Sequence, residues 1–61
     1  MVKEYKHKGG FVGKMFGDSS FEIINPSGKV VLKTNKRGFN SYKGLIEATD
    51  NFVRLYGRKY R

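Results

Sequence analysis

The most regular alternation of apolar and polar positions runs from Phe21 to Lys33 and reads as two strands joined by a turn. Asn25-Pro26-Ser27-Gly28 places Asn, Pro and Gly at the first, second and fourth positions of a type I turn, where each is favoured. With Gly28 in a left-handed bulge, the pattern predicts Ile24 opposite Lys29, Ile23 opposite Val30, Glu22 opposite Val31 and Phe21 opposite Leu32. Side chains alternate between faces, so Phe21, Ile23, Val30 and Leu32 form one apolar face, and Glu22, Ile24, Lys29, Val31 and Lys33 form the other. The apolar face needs a covering layer.

That layer is written downstream. Tyr42, Leu45, Ile46, Thr49, Val53 and Tyr56 recur at spacings of three and four, widened by Ala48, Phe52 and Leu55, which predicts an amphipathic helix over residues 41–56. Asn40 or Ser41 supplies the N-cap and Gly57 the stop. Upstream, Phe11-Val12-Gly13-Lys14-Met15-Phe16 has strand composition between two glycine-bearing segments. Keeping Lys14 in solvent sends Phe11 and Met15 to the core and leaves Val12 and Phe16 outside, since a buried unpaired lysine is costly. Residues 1–10 carry three lysines, one histidine and a glycine pair, and read as a flexible basic arm in which Val2 and Tyr5 are able to pair at a sheet edge. The expectation is a single α+β domain: a three-stranded antiparallel meander over residues 11–34, a helix over 41–56, and a basic tail over 57–61.

Charge sharpens this picture. Thirteen Lys and Arg against five Asp and Glu give 61 residues a formal net charge of +8. The charge falls in blocks: residues 1–16 carry +3, 29–43 carry +5 and 54–61 carry +4, separated by two stretches of −2 each. A field of this kind attracts polyanions. Without cysteine there is no disulfide framework or thiolate metal site, and the lone His7 builds no zinc site. No apolar run approaches the ~20 residues needed to span a bilayer, and the first residues lack a signal peptide's apolar core, so a cytoplasmic protein is expected.

No catalytic constellation emerges. Ser19 and Ser20 have no base assigned by sequence, and Glu4, Asp18, Glu22, Glu47 and Asp50 read as solvated polar positions. Gly10-Phe11-Val12-Gly13-Lys14 lacks the spacing and the following Ser or Thr of a phosphate-binding loop. A non-enzymatic protein with no cofactor and no small-molecule substrate is expected. The richest candidate is the loop Lys33-Thr34-Asn35-Lys36-Arg37-Gly38, whose cations reach phosphates without being buried. Beside it, the outer sheet face carries Lys14, Lys29 and Lys33 among Val12, Phe16, Ile24 and Val31, with Phe16, Ile24 and Val31 available for stacking or for a protein interface. Arg58, Lys59 and Arg61 add a basic end to the helix.

Gly28-Lys29, then Lys33, then Lys36-Arg37-Gly38-Phe39-Asn40-Ser41, resemble the basic third strand, Arg-Gly-Phe turn and helix cap of the arm-type DNA-binding domains of phage and transposon integrases. That resemblance implies three strands and a helix, with the sheet face entering the major groove through Lys14, Lys29, Lys33 and Arg37. It covers residues 28–45, with Gly44-Leu45 standing where those domains carry Glu-Ala, and implies a DNA-binding accessory. Over residues 21–52 the chain also resembles the small bacterial YegP-like domains of unknown function, through Gly28, Val30-Val31-Leu32, Phe39-Asn40-Ser41 and Gly44, which implies the same topology and either dimer formation or no assigned activity. Double-stranded DNA is the expected partner in preference to RNA, bound through Lys14, Lys29, Lys33, Asn35, Lys36, Arg37, Arg58, Lys59 and Arg61. The alternative is a phage-type interaction module that docks on an acidic host protein or on a second copy of itself. No membrane binding is expected, because no segment is a membrane-surface helix with a basic polar face.

Overall fold

A computed structural model describes residues 2–16, 20–34 and 41–61. Four antiparallel strands, β1 (Val2–Lys6), β2 (Val12–Phe16), β3 (Ser20–Ile24) and β4 (Val30–Thr34), form one sheet in the order β1-β2-β3-β4. One helix, α1 (Tyr42–Tyr60), covers one face. The α+β class and the meander stand as expected, with one strand more than the alternation predicts.

The extra strand comes from the segment expected to be a flexible arm. β1 pairs along its whole length with β2, from Val2 opposite Phe16 to Lys6 opposite Val12. Its sequence hides this because it is mostly exposed and offers the core little except Tyr5. The Tyr5 hydroxyl donates to Asp50 Oδ1 at 3.0 Å, and its ring meets Tyr42 and His7 edge-on. A tight turn follows, in which the His7 amide donates to the Phe11 carbonyl and the Gly9 amide to His7 Nδ1. Edge strands are short and charged as a rule, which is why such a segment carries so weak a hydrophobic signature.

The β3–β4 turn has the expected chemistry but a different register. Gly28 adopts φ +90°, and its amide donates to the Asn25 carbonyl at 2.9 Å. Asn25, however, closes the ladder with Lys29, because its own amide donates to the Lys29 carbonyl. Its side-chain Oδ1 also accepts from the amides of Ser27 and Lys29. Ile24 therefore stands opposite Val30, not Lys29. A second irregularity then absorbs Val31, so that Ile23 faces Leu32, Glu22 faces Lys33 and Phe21 faces Thr34. The bulge restores the expected sides of Leu32 and Lys33 and exchanges those of the two valines. Val30 is 45% exposed, whereas Val31 packs against the core. A register slip of one residue flips every side chain after it, and an extra residue flips them back.

Among the described residues the core consists of Phe11, Met15, Phe21, Ile23 and Leu45, with Tyr5, Val31, Leu32, Ala48, Phe52, Val53 and Tyr60 packed around it. Phe11 and Met15 point inward as the placement of Lys14 requires. At Gly13 the helix comes so close that a Cβ would collide with Thr49 Oγ1. Thr49 is fully buried there, its hydroxyl donating to the Leu45 carbonyl at 2.8 Å, so the close approach leaves no unpaired polar group.

Ser41 caps the helix, its Oγ accepting from the Gly44 amide at 3.2 Å. The helix continues past Gly57 to Tyr60, which corrects both its expected end and the expected free tail. Glycine destabilises a helix interior by only about 1 kcal/mol relative to alanine. Here the last turn has more than that to hold it. Tyr60 stacks on Phe52 with ring centres 5.7 Å apart, and Asn25 Nδ2 donates to the Tyr60 carbonyl at 2.9 Å. The inward stripe accordingly runs through Leu45, Thr49, Phe52, Val53 and Tyr60, while Leu55 is 61% exposed and leaves it.

Candidate nucleic-acid interface

The expected DNA-binding residues separate into three groups. Lys14 and Lys33 lie on the outer face, where the strand register sets Glu4, Lys14, Glu22 and Lys33 side by side across all four strands. Lys14 Nζ is 3.8 Å from Glu4 Oε2, and Lys33 Nζ is 4.0 Å from Glu22 Oε2. Each lysine thus has a carboxylate beside it. Exposed pairs of this kind contribute roughly 0–1 kcal/mol to stability, but the two carboxylates offset the charges of the two lysines on the face. Phe16 and Ile24 are half-buried on that same face, whereas Val31 has turned inward. Asn35, Lys36 and Arg37 lie outside the described residues.

The third group converges. Lys29 follows the β3–β4 turn, and Lys59 and Arg61 stand at the end of the helix; together with Asn25, Val30, Val31 and Tyr60 they line an open cleft of ≈ 380 Å³. Two elements far apart in sequence meet there because Asn25 ties them: its Oδ1 shapes the turn while its Nδ2 holds the carbonyl of Tyr60. Among the described residues that line it there is no carboxylate side chain, and there are three cations. Arg58, exposed, precedes them in the last helical turn. Lys59 Nζ lies 5.5 Å from the centre of the Tyr60 ring, a cation–π distance that holds the lysine stem against the aromatic wall. Asn25 was legible as a turn residue only; its second role needs the helix end beside it, which no local pattern reports.

A different polar cluster lies where β1 meets the middle of the helix. Asp50 Oδ1 accepts from the Tyr5 hydroxyl and stands 3.5 Å from His7 Nε2. Because His7 Nδ1 accepts from the Gly9 amide, the neutral ring carries its proton on Nε2, facing the carboxylate. The hydrogen bond to Asp50 raises the Tyr5 pKa above its usual value of 10, with desolvation and the Asp50 charge adding to it. Tyr5 therefore stays protonated at neutral pH, as a donor that fastens β1 to the helix. Among the described residues there is no group of three metal-ligating side chains, and no helix is long and apolar enough to cross a membrane.

No family model, curated protein or solved structure matches this chain.

Proposed function

We propose that this protein is a non-enzymatic binder of double-stranded DNA that grips phosphates through the cleft between the β3–β4 turn and the helix end. The observation that carries this is the meeting of Lys29, Lys59 and Arg61 around one opening, with no carboxylate side chain among the described residues that line it. A net charge of +8 brings a polyanion to that surface, and cations on a rigid turn and a packed helix end need little ordering to meet it. The aromatic rings nearby favour a phosphate track over base stacking. Tyr60 has one side occupied by Phe52 and its neighbour Lys59 against it, so it offers no free platform for a base. Lys14 and Lys33, each with a glutamate beside it, contribute less than the cleft.

Titration of a short duplex across a range of salt concentrations tests the reading. Three phosphate contacts give a slope of log K against log salt of roughly −2.7, and replacing Lys29, Lys59 or Arg61 by alanine should each reduce it by about 1. Absence of binding at low salt, or binding indifferent to salt, would end this assignment.

A further inference from the structure

Among the described residues nothing covers the outer face of the sheet. Helix α1 packs on the opposite face, against Gly13, Leu32 and the buried core, and leaves Val12, Phe16 and Ile24 half-exposed on this one, with Val2 at 55% exposure beside them. Through its middle runs the row Glu4–Lys14–Glu22–Lys33, one residue from each strand. Its charges read minus, plus, minus, plus from one sheet edge to the other.

An alternating row of four has a symmetry consequence. Let a second copy lie face to face on the first, related by a two-fold axis that runs along the strands between β2 and β3. The rotation exchanges the ends of the row: Glu4 then opposes Lys33 of the second copy, and Lys14 opposes its Glu22. All four cross-pairs are opposite in charge. A two-fold axis running across the strands sets each charge over its own copy and opposes like to like four times. The same strand-parallel axis sets Val12 over Ile24 of the second copy and Phe16 over its Ser20, a large side chain against a small one. It also keeps the strands of the two layers aligned, a common way for sheets to pack.

From this self-complementarity we infer that the outer face is the interface of a symmetric homodimer, with the four-charge row setting its axis. The face is suited to this despite the chain's overall charge, since Lys6, Lys14 and Lys33 on it are balanced by Glu4 and Glu22 to within one charge. Lys29, Arg58, Lys59 and Arg61 belong to the turn and the helix end. Four strands ~4.8 Å apart and five residues long at ~3.3 Å each make a plate of roughly 15–20 Å on a side. Two such plates bury on the order of 1,000 Å² in total, the lower edge of specific interfaces, so the dimer is reversible and concentration-dependent. The inference is independent of nucleic-acid binding.

Sedimentation equilibrium on the whole chain, from micromolar to millimolar concentration, should show the mass rising from one chain to two. Glu22→Lys sets two lysine pairs face to face and Lys14→Glu two glutamate pairs, so each variant alone should dimerise about tenfold or more weakly. In a one-to-one mixture every cross-pair is opposite again, and a mixed dimer should return to within about threefold of the parent affinity. A parent chain that stays monomeric at millimolar concentration overturns the inference. So do single variants that dimerise like the parent, or a mixture that does not recover. Should circular dichroism show either variant unfolded, the parent alone decides: amide shifts that change with concentration at Val12, Lys14, Glu22 and Ile24 uphold the interface, and shifts elsewhere or none overturn it.

Discussion

The two faces of the sheet are made by the same strands, residue by alternate residue, and have opposite physical characters. On the inner face Phe21 and Ile23 are buried in the core cluster; on the outer face Glu22 and Ile24, one residue along, stay partly open, Glu22 beside Lys33 of the neighbouring strand. The inner face specifies the fold through shape. The outer face contributes little to the monomer and keeps its information as an order of charges. Burial is what converts a side chain's identity into stability, because the interior is packed to crystal density and tolerates neither a gap nor an extra atom. A surface ion pair exchanges solvation for a screened attraction and comes out near zero.

Substitutions at five positions would break or sharpen that contrast. Phe21→Ala opens the inner face at its largest fully buried strand side chain and should cost about 3–5 kcal/mol, comparable to the whole stability of so small a domain, so thermal melting should show it largely unfolded. Gly13→Ala forces a methyl into Thr49 and should cost roughly 1–3 kcal/mol in urea denaturation. Combining it with Thr49→Ala removes the colliding oxygen, and the double variant should lose less than the two single losses added together. Non-additivity of that sign is the signature of a shared contact; simple additivity would mean that the close approach between β2 and the helix is not tight.

Tyr5→Phe probes the edge where the faces end. The folded tyrosine has a raised pKa, so its contribution is present below pH 10 and is lost as pH rises through the folded value. The parent should therefore melt at a higher temperature than the phenylalanine variant at neutral pH, and the two curves should converge in strong alkali. Parallel curves would separate Tyr5 from Asp50 in energetic terms. Lys33→Ala, on the outer face at 70% side-chain exposure, should change monomer stability by no more than about 0.5 kcal/mol. A loss as large as that of Gly13→Ala would erase the distinction between the faces.

Legibility followed the same line. The Phe21–Lys33 hairpin could be read because turn chemistry and alternation are local; Phe21 and Ile23 follow from that alternation, and Phe11 and Met15 from keeping Lys14 in water. Strand β1 was obscured because an edge strand with one anchoring ring differs little in composition from a flexible arm. The β4 register escaped because two irregularities, one at Gly28 and one near Val31, compensate each other: the side of Leu32 came out as expected while the pairing that produced it did not. Of the candidate interface, the cations Lys29, Lys59 and Arg61 could be named individually, but nothing local joins a turn at residue 29 to a helix end at residue 61.

What the chain carries in its own order is therefore the α+β class, the turn at Asn25–Gly28, the helix with its Ser41 cap, and a positive charge too large to ignore. These depend on neighbours within a few positions, where backbone geometry and side-chain alternation act directly. The fourth strand, the continuation of the helix through Gly57 to Tyr60, the cleft and the alternating row across four strands were settled only by folding. Each requires groups distant along the chain to share a hydrogen bond, a ring face or a register. Asn25 shows the reason in one residue: its oxygen answers to the local turn, and its nitrogen answers to a carbonyl 35 positions away.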